Sequence, residues 1–104
     1  MNDPTATFPN ETYLNGLRDA DSSVVDALYN EFRLPVVKAV ENSGGNYADG
    51  NTFFKVAIIQ AATLAKTGQY PNETPIFLFL KSLAVEQYIN WLSEKGQEIP
   101  PQPE

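Results

Sequence analysis

The sequence contains no cysteine and no histidine. Disulfides, thiolate nucleophiles, Cys/His zinc sites, Ser-His-Asp triads and imidazole general bases are therefore excluded. Long apolar runs are lacking too. The longest, Ile76 to Leu80, has five residues, whereas a helix crossing a bilayer needs about 20. Met1-Asn2-Asp3-Pro4 is not a basic stretch leading into an apolar one, so the N-terminus does not read as a secretory signal and a cytoplasmic location is the expectation. Positive charge is scarce: seven Lys and Arg stand against thirteen Asp and Glu, a net charge of -6. The bases are also scattered, with one in residues 1–22 and two in each of 23–48, 49–68 and 69–104. Phosphate neutralisation by a basic stripe supplies most nucleic-acid affinity. The balance here argues against unaided DNA or RNA binding and against adhesion to anionic membranes.

What is present is enough for one globular domain. The chain has 104 residues, 42% of them apolar, and a chain this long buries roughly 65% of its unfolded surface. Residues 1–10, with Pro4 and Pro9, read as an irregular arm, and residues 97–104, with three prolines, as an extended tail. The segment between them, 11–96, reads as one helical domain.

Three helical patterns fill it. The first spans Ser22 to Asn42, with a short turn before it at Thr12 to Arg18. Val25, Leu28, Tyr29, Phe32, Val36 and Val40 trace one face, and Asp21 or Ser22 serves as cap. Asp19 and Asp21 precede this helix and complement its positive end. Pro35 inside the pattern predicts a kink or an interruption. Ser43-Gly44-Gly45-Asn46 ends the helix; with no Lys-Ser/Thr after the glycines it is not a phosphate loop. The second pattern spans Asn51 to Lys66 and stops at Thr67-Gly68. It is apolar almost all round, which predicts a buried central helix. The third starts with Thr74 as cap and Pro75 in the first helical position. It runs to Lys95 and stops at Gly96, with Phe77, Leu80, Ala84, Tyr88 and Trp91 as its stripe and Ile76, Phe79, Leu83 and Leu92 widening it. No segment alternates with period two for long enough to make a strand. The fold expected is all-α, a three- or four-helix bundle.

Candidate chemistry is thin. Glu86 and Asn90 share a helical face, but only one is a carboxylate. The triplets Asn10-Glu11-Thr12 and Asn72-Glu73-Thr74 match the glycosylation pattern but lack a secretory context. Tyr88 and Trp91 could stack on bases, yet their spacing suits a core. The chain is expected not to be an enzyme and to need no metal or cofactor.

One order of pieces stands out. Tyr13-Leu14-Asn15-Gly16-Leu17-Arg18-Asp19-Ala20-Asp21 leads into Ala27-Leu28-Tyr29-Asn30-Glu31-Phe32, with Pro35 a few residues on. A loop follows, then Asp49-Gly50-Asn51-Thr52-Phe53-Phe54-Lys55-Val56. A last helix places Ile76, Phe79-Leu80, Leu83-Ala84, Glu86, Asn90 and Ser93. Over residues 13 to 95 this resembles region 2 of sigma-70 family RNA polymerase sigma factors of the extracytoplasmic-function type. That helical domain binds core polymerase and melts the promoter. The apolar framework agrees at Phe53, Ala57, Phe79, Leu80, Leu83, Ala84 and Ile89. The polar signature departs from the family's at Asn51, Thr52, Lys55 and Val56, and again at Glu86, Asn90 and Ser93. The helix-turn-helix of region 4 has no counterpart in these residues.

The resemblance implies a role in transcription initiation, with RNA polymerase core or an anti-sigma-like protein as partner. It places Asp49, Asn51, Thr52 and Lys55 toward the polymerase and Glu86, Asn90 and Ser93 toward DNA. The net charge argues against direct promoter binding. The alternative is a small helical interaction or oligomerisation module unrelated to transcription, with a homodimer among its forms. Its motivation is apolar surface on the second and third patterns in excess of what a lone small bundle buries.

Overall fold

The structure, a computed structural model, describes residues 6–71 and 73–98. Asn72, the first five residues of the arm and residues 99–104 of the Pro-rich tail lie outside the described residues. The chain is an all-α bundle of four helices: α1 (Asn10–Asp19), α2 (Ser22–Asn42), α3 (Tyr47–Thr67) and α4 (Ile76–Glu98). No strand occurs among the described residues.

The expected turn at Thr12–Arg18 is a full helix. Tyr13 and Leu17, one turn apart, are buried on its inner face, and that burial offsets a short, glycine-containing sequence. α1 ends at Ala20, which takes a left-handed conformation (φ 57°), while the Asp21 amide donates back to the Gly16 carbonyl at 2.8 Å. Asp19 is therefore the last residue of α1, not a residue at the positive end of α2. It pairs with Arg18 at 3.1 Å.

α2 has the expected limits. Asp21 caps it, its carboxylate accepting from the Ser23 amide at 3.0 Å. Leu28, Phe32, Val36 and Val40 are fully buried. The helix continues through Pro35 without interruption. Proline removes only its own amide from the ladder, and the surrounding buried positions, Phe32, Val36 and Val37, hold both flanking turns in place.

α3 begins four residues before the expected Asn51. A reciprocal capping box starts it: the Asn46 side chain accepts from the Asp49 amide at 2.8 Å, and the Asp49 carboxylate accepts from the Asn46 amide at 3.1 Å. Gly50 sits in this first turn because α2 passes close by. A Cβ there would lie 2.8 Å from the Val37 Cα. At the other end Gly68, at φ 74°, terminates the helix as expected.

α3 contacts all three other helices, burying Phe53, Phe54, Ala57, Ile58 and Ala61. It is central but not buried all round. Lys55, Ile59, Thr63 and Lys66 face solvent, because a four-helix bundle this small leaves each helix one open side. Aromatic pairs knit the core: Tyr29 meets Phe54 edge-on at 5.0 Å, and Phe32 lies 5.6 Å from Tyr13 and 5.5 Å from Phe77. Truncating a fully buried phenylalanine such as Phe32 to alanine costs about 3–5 kcal/mol in such a setting.

α4 starts at Ile76, one residue after Pro75, and the expected Thr74 cap is replaced from a distance. Asn10, at the start of α1, accepts from the Ile76 amide at 2.7 Å and donates to the Thr74 carbonyl at 3.0 Å. Thr74 thus contributes its backbone, and that carbonyl also accepts from the Tyr70 hydroxyl at 2.8 Å. The helix runs past Gly96 to Glu98; glycine weakens a helix interior by only about 1 kcal/mol and does not by itself end one. Gln97 and Glu98, expected in the tail, belong to it.

Residues 6–9 of the arm are irregular but docked. The Thr7 and Phe8 amides donate to the Tyr13 hydroxyl at 3.0 and 3.2 Å. Tyr13 in turn donates to Glu31.

Candidate functional site

The structure gives the four expected polymerase-facing residues different local surroundings. Asp49 is committed to the capping box of α3. Asn51 bridges helices: its side-chain oxygen accepts from the Arg33 guanidinium at 2.8 Å and its amide donates to the Tyr47 carbonyl at 2.9 Å. Arg33 also donates to the Tyr47 hydroxyl at 3.0 Å and holds its pKa below the ordinary tyrosine value. Thr52 and Lys55 remain exposed on α3. Two of the four residues are thus occupied within the fold, and two are open.

The other expected group is brought together. Glu86, Asn90 and Ser93, spaced four and three apart, lie exposed along one side of α4. Glu86 and Asn90 edge a groove of about 570 Å³ between α4 and the end of α2. Its walls are Ala39, Asn42 and Ser43 from α2 and Lys81, Ser82, Val85 and Ile89 from α4. The Lys81 ammonium lies 5.5 Å from the centre of the Phe77 ring, which holds the side chain along the groove wall.

The apolar excess expected from the sequence is exposed in part on α4, with Leu34, Tyr47 and Ile59 exposed elsewhere. Leu78, Ile89, Trp91 and Leu92 are exposed by 37, 50, 37 and 43%. The inner stripe of α4 is as expected at Phe77, Leu80, Ala84 and Tyr88, all buried. Trp91 and Leu92 depart from it, because α4 there extends past the end of the core. Trp91 keeps ring contacts with Phe53 and Tyr88 at 5.9 and 6.1 Å. Tyr88 itself is 3% exposed and is not placed to stack on a base. The outer row, Leu78, Val85, Ile89 and Leu92, is spaced seven, four and three residues apart, and that second helical period was the signal available in the sequence.

Comparison with family models, with curated proteins and with solved structures finds no match. Among the described residues no group of three or more Asp and Glu is placed to hold a metal ion. No helix among them is long and apolar enough to cross a membrane. What the site offers chemically is apolar area on a rigid helix, one cation and one anion on its flanks, and neutral hydrogen-bonding side chains.

Proposed function

We propose that this chain is a non-catalytic helical module that binds another protein through the outer face of α4 and the α2–α4 groove. The observation that carries this reading is the row of half-exposed apolar side chains on α4, Leu78, Ile89 and Leu92, beside a groove. Helices in globular proteins bury one apolar stripe; α4 carries two, and of the outer one Val85 alone packs against the core. The test is site-specific photocrosslinking in the cells of origin. A photoreactive residue at Asn90 should give protein adducts that Ile89→Glu abolishes, while the same residue at Lys66, on exposed α3, should give none. Absence of a face-selective adduct would overturn the reading.

A narrower reading, a sigma region 2-like domain that docks on RNA polymerase core or an anti-sigma-like protein, is favoured by the burial of the framework residues Phe53, Ala57, Leu80 and Ala84. It leaves Thr52 and Lys55 as the open contact residues on α3. A photoreactive residue at Lys55 should then crosslink to a polymerase subunit or an anti-sigma-like protein. No adduct at Lys55 together with adducts at Asn90 would leave only the broader reading.

A further inference from the structure

The outer row of α4 has a stricter order than an exposed apolar patch requires. Leu78, Ser82, Val85, Ile89 and Leu92 follow spacings of 4, 3, 4 and 3, the a/d pattern of a coiled-coil seam running about 21 Å along the helix. Leu78, Val85 and Leu92 take d positions; Ser82 and Ile89 take a positions. Isoleucine at a with leucine at d, as at Ile89 and Leu92, suits two parallel strands; Ser82 at a and Val85 at d do not add to that preference. Lys81 then falls at g and Glu86 at the following e, five residues on. In a parallel pair, g of one helix faces that e of the other. Lys81 and Glu86 are therefore placed to pair between two copies, twice per dimer by symmetry. Neither forms an ion pair within the chain among the described residues. Residues 39–43 at the end of α2 form the far wall of the groove that Lys81, Val85, Glu86 and Ile89 line.

We infer that the occupant of this face is a second copy of the chain, docked α4 against α4 in parallel about a twofold axis. The inference rests on the reading that this face binds a protein, and it names the partner. Hydrophobic contact at Val85, Ile89 and Leu92 supplies the attraction. The Lys81–Glu86 pairs set orientation, since an antiparallel pair would set like charges against each other.

Sedimentation equilibrium of the full chain, from about 1 µM to about 1 mM, tests it. A monomer–dimer equilibrium is expected, with Ile89→Glu weakening it at least about 100-fold while circular dichroism stays helical. Lys81→Glu alone and Glu86→Lys alone should each weaken it about tenfold, and the double reversal should restore it. The two single variants mixed should pair with each other better than with themselves. A chain monomeric throughout would overturn the inference, as would a dimer indifferent to Ile89→Glu or a double reversal without rescue. A monomer whose Asn90 crosslinks still reach another protein would overturn the self-pairing alone and leave the protein-binding reading standing. A monomer with no adduct would remove both.

Discussion

Asn10→Ala should unfold α4 from its start, although residue 10 belongs to another helix. Asn10 makes two hydrogen bonds there, accepting from the Ile76 amide at 2.7 Å and donating to the Thr74 carbonyl at 3.0 Å. The first satisfies an amide with no partner inside its own helix, next to a residue 2% exposed. Losing a cap of this kind costs about 1 kcal/mol, and losing the second bond about 1 more. Unfolding entropy for a chain this long is about 0.2 kcal/mol per degree, so about 2 kcal/mol lowers Tm by about 9 °C. The control is Thr74→Ala. Sequence alone makes Thr74 the cap and Asn10 part of the arm; the structure gives Thr74 only a backbone role, so this variant should stay within about 2 °C of the parent. Thermal and urea unfolding followed by circular dichroism reads both. The reasoning is refuted if Thr74→Ala costs as much as Asn10→Ala, or if Asn10→Ala leaves Tm within about 2 °C.

Gly50→Ala should destabilise by about 1–3 kcal/mol despite the better helix propensity of alanine, because the new Cβ would meet the Val37 backbone at 2.8 Å; urea unfolding measures it. Ala20→Gly should stabilise by about 0.5–1 kcal/mol in the same assay, since an alanine held at φ 57° carries left-handed strain that glycine lacks. Tyr13→Phe should free the arm: the Thr7 and Phe8 amides lose their acceptor and Glu31 loses a donor, so cleavage by a protease within residues 6–9 should become faster while cleavage elsewhere does not. Acid should destabilise the fold. Burial pushes the Glu31 carboxyl up, but hydrogen bonds from Thr7 and Tyr13 outweigh it and hold the pKa below the usual glutamate value; hydrogen bonds from Arg18 and Ser23 lower Asp19 and Asp21. A carboxyl with a lowered folded pKa contributes stability that is complete above its unfolded pKa and lost as pH falls through the folded one. Stability should therefore be flat from neutral pH down to about pH 5 and decline below it. A decline that begins near pH 6 would contradict this.

The pattern of what could be read in advance follows from where each signal lives. The limits of α2, its Asp21 cap and most of its stripe were legible because those signals are local; Val24 and Val37, buried where Val25 and Tyr29 were expected to lie deepest, and the passage through Pro35 were not. Gly68 and the inner row of α4 were legible because their signals are local too. α1 was not, because Tyr13 and Leu17 give a ten-residue helix only two buried anchors. Its stability comes from packing on α2 and α3, which no window of sequence contains. The early start of α3 was hidden by Gly50, which reads as a loop residue until α2 is seen to press on it. The asparagine–aspartate capping box at 46 and 49 was the visible counter-signal. Asn10 capping α4 joins residues 66 apart and leaves no local trace.

The candidate site shows the same division in reverse. Helical spacing alone was enough to put Glu86 and Asn90 on one face, and they share it with Ser93, which the resemblance had grouped with them. Asp49 and Asn51 were assigned by resemblance to a contact role; the fold gives Asp49 a place in the capping box and Asn51 hydrogen bonds to Arg33 and Tyr47, which helical spacing alone did not foretell. What separates surface from core on α4 is not residue type but reach: Trp91 and Leu92 are as apolar as Phe77 and Leu80, yet near the end of the core they are only partly covered, Trp91 by Phe53 and Tyr88. The 78–82–85–89–92 row, apolar but for Ser82, outlasts the core in this way. The sequence of one chain could show the spacing, but only the packed fold could show which of the two stripes on α4 was left exposed, and it is this stripe that the proposed pairing would cover.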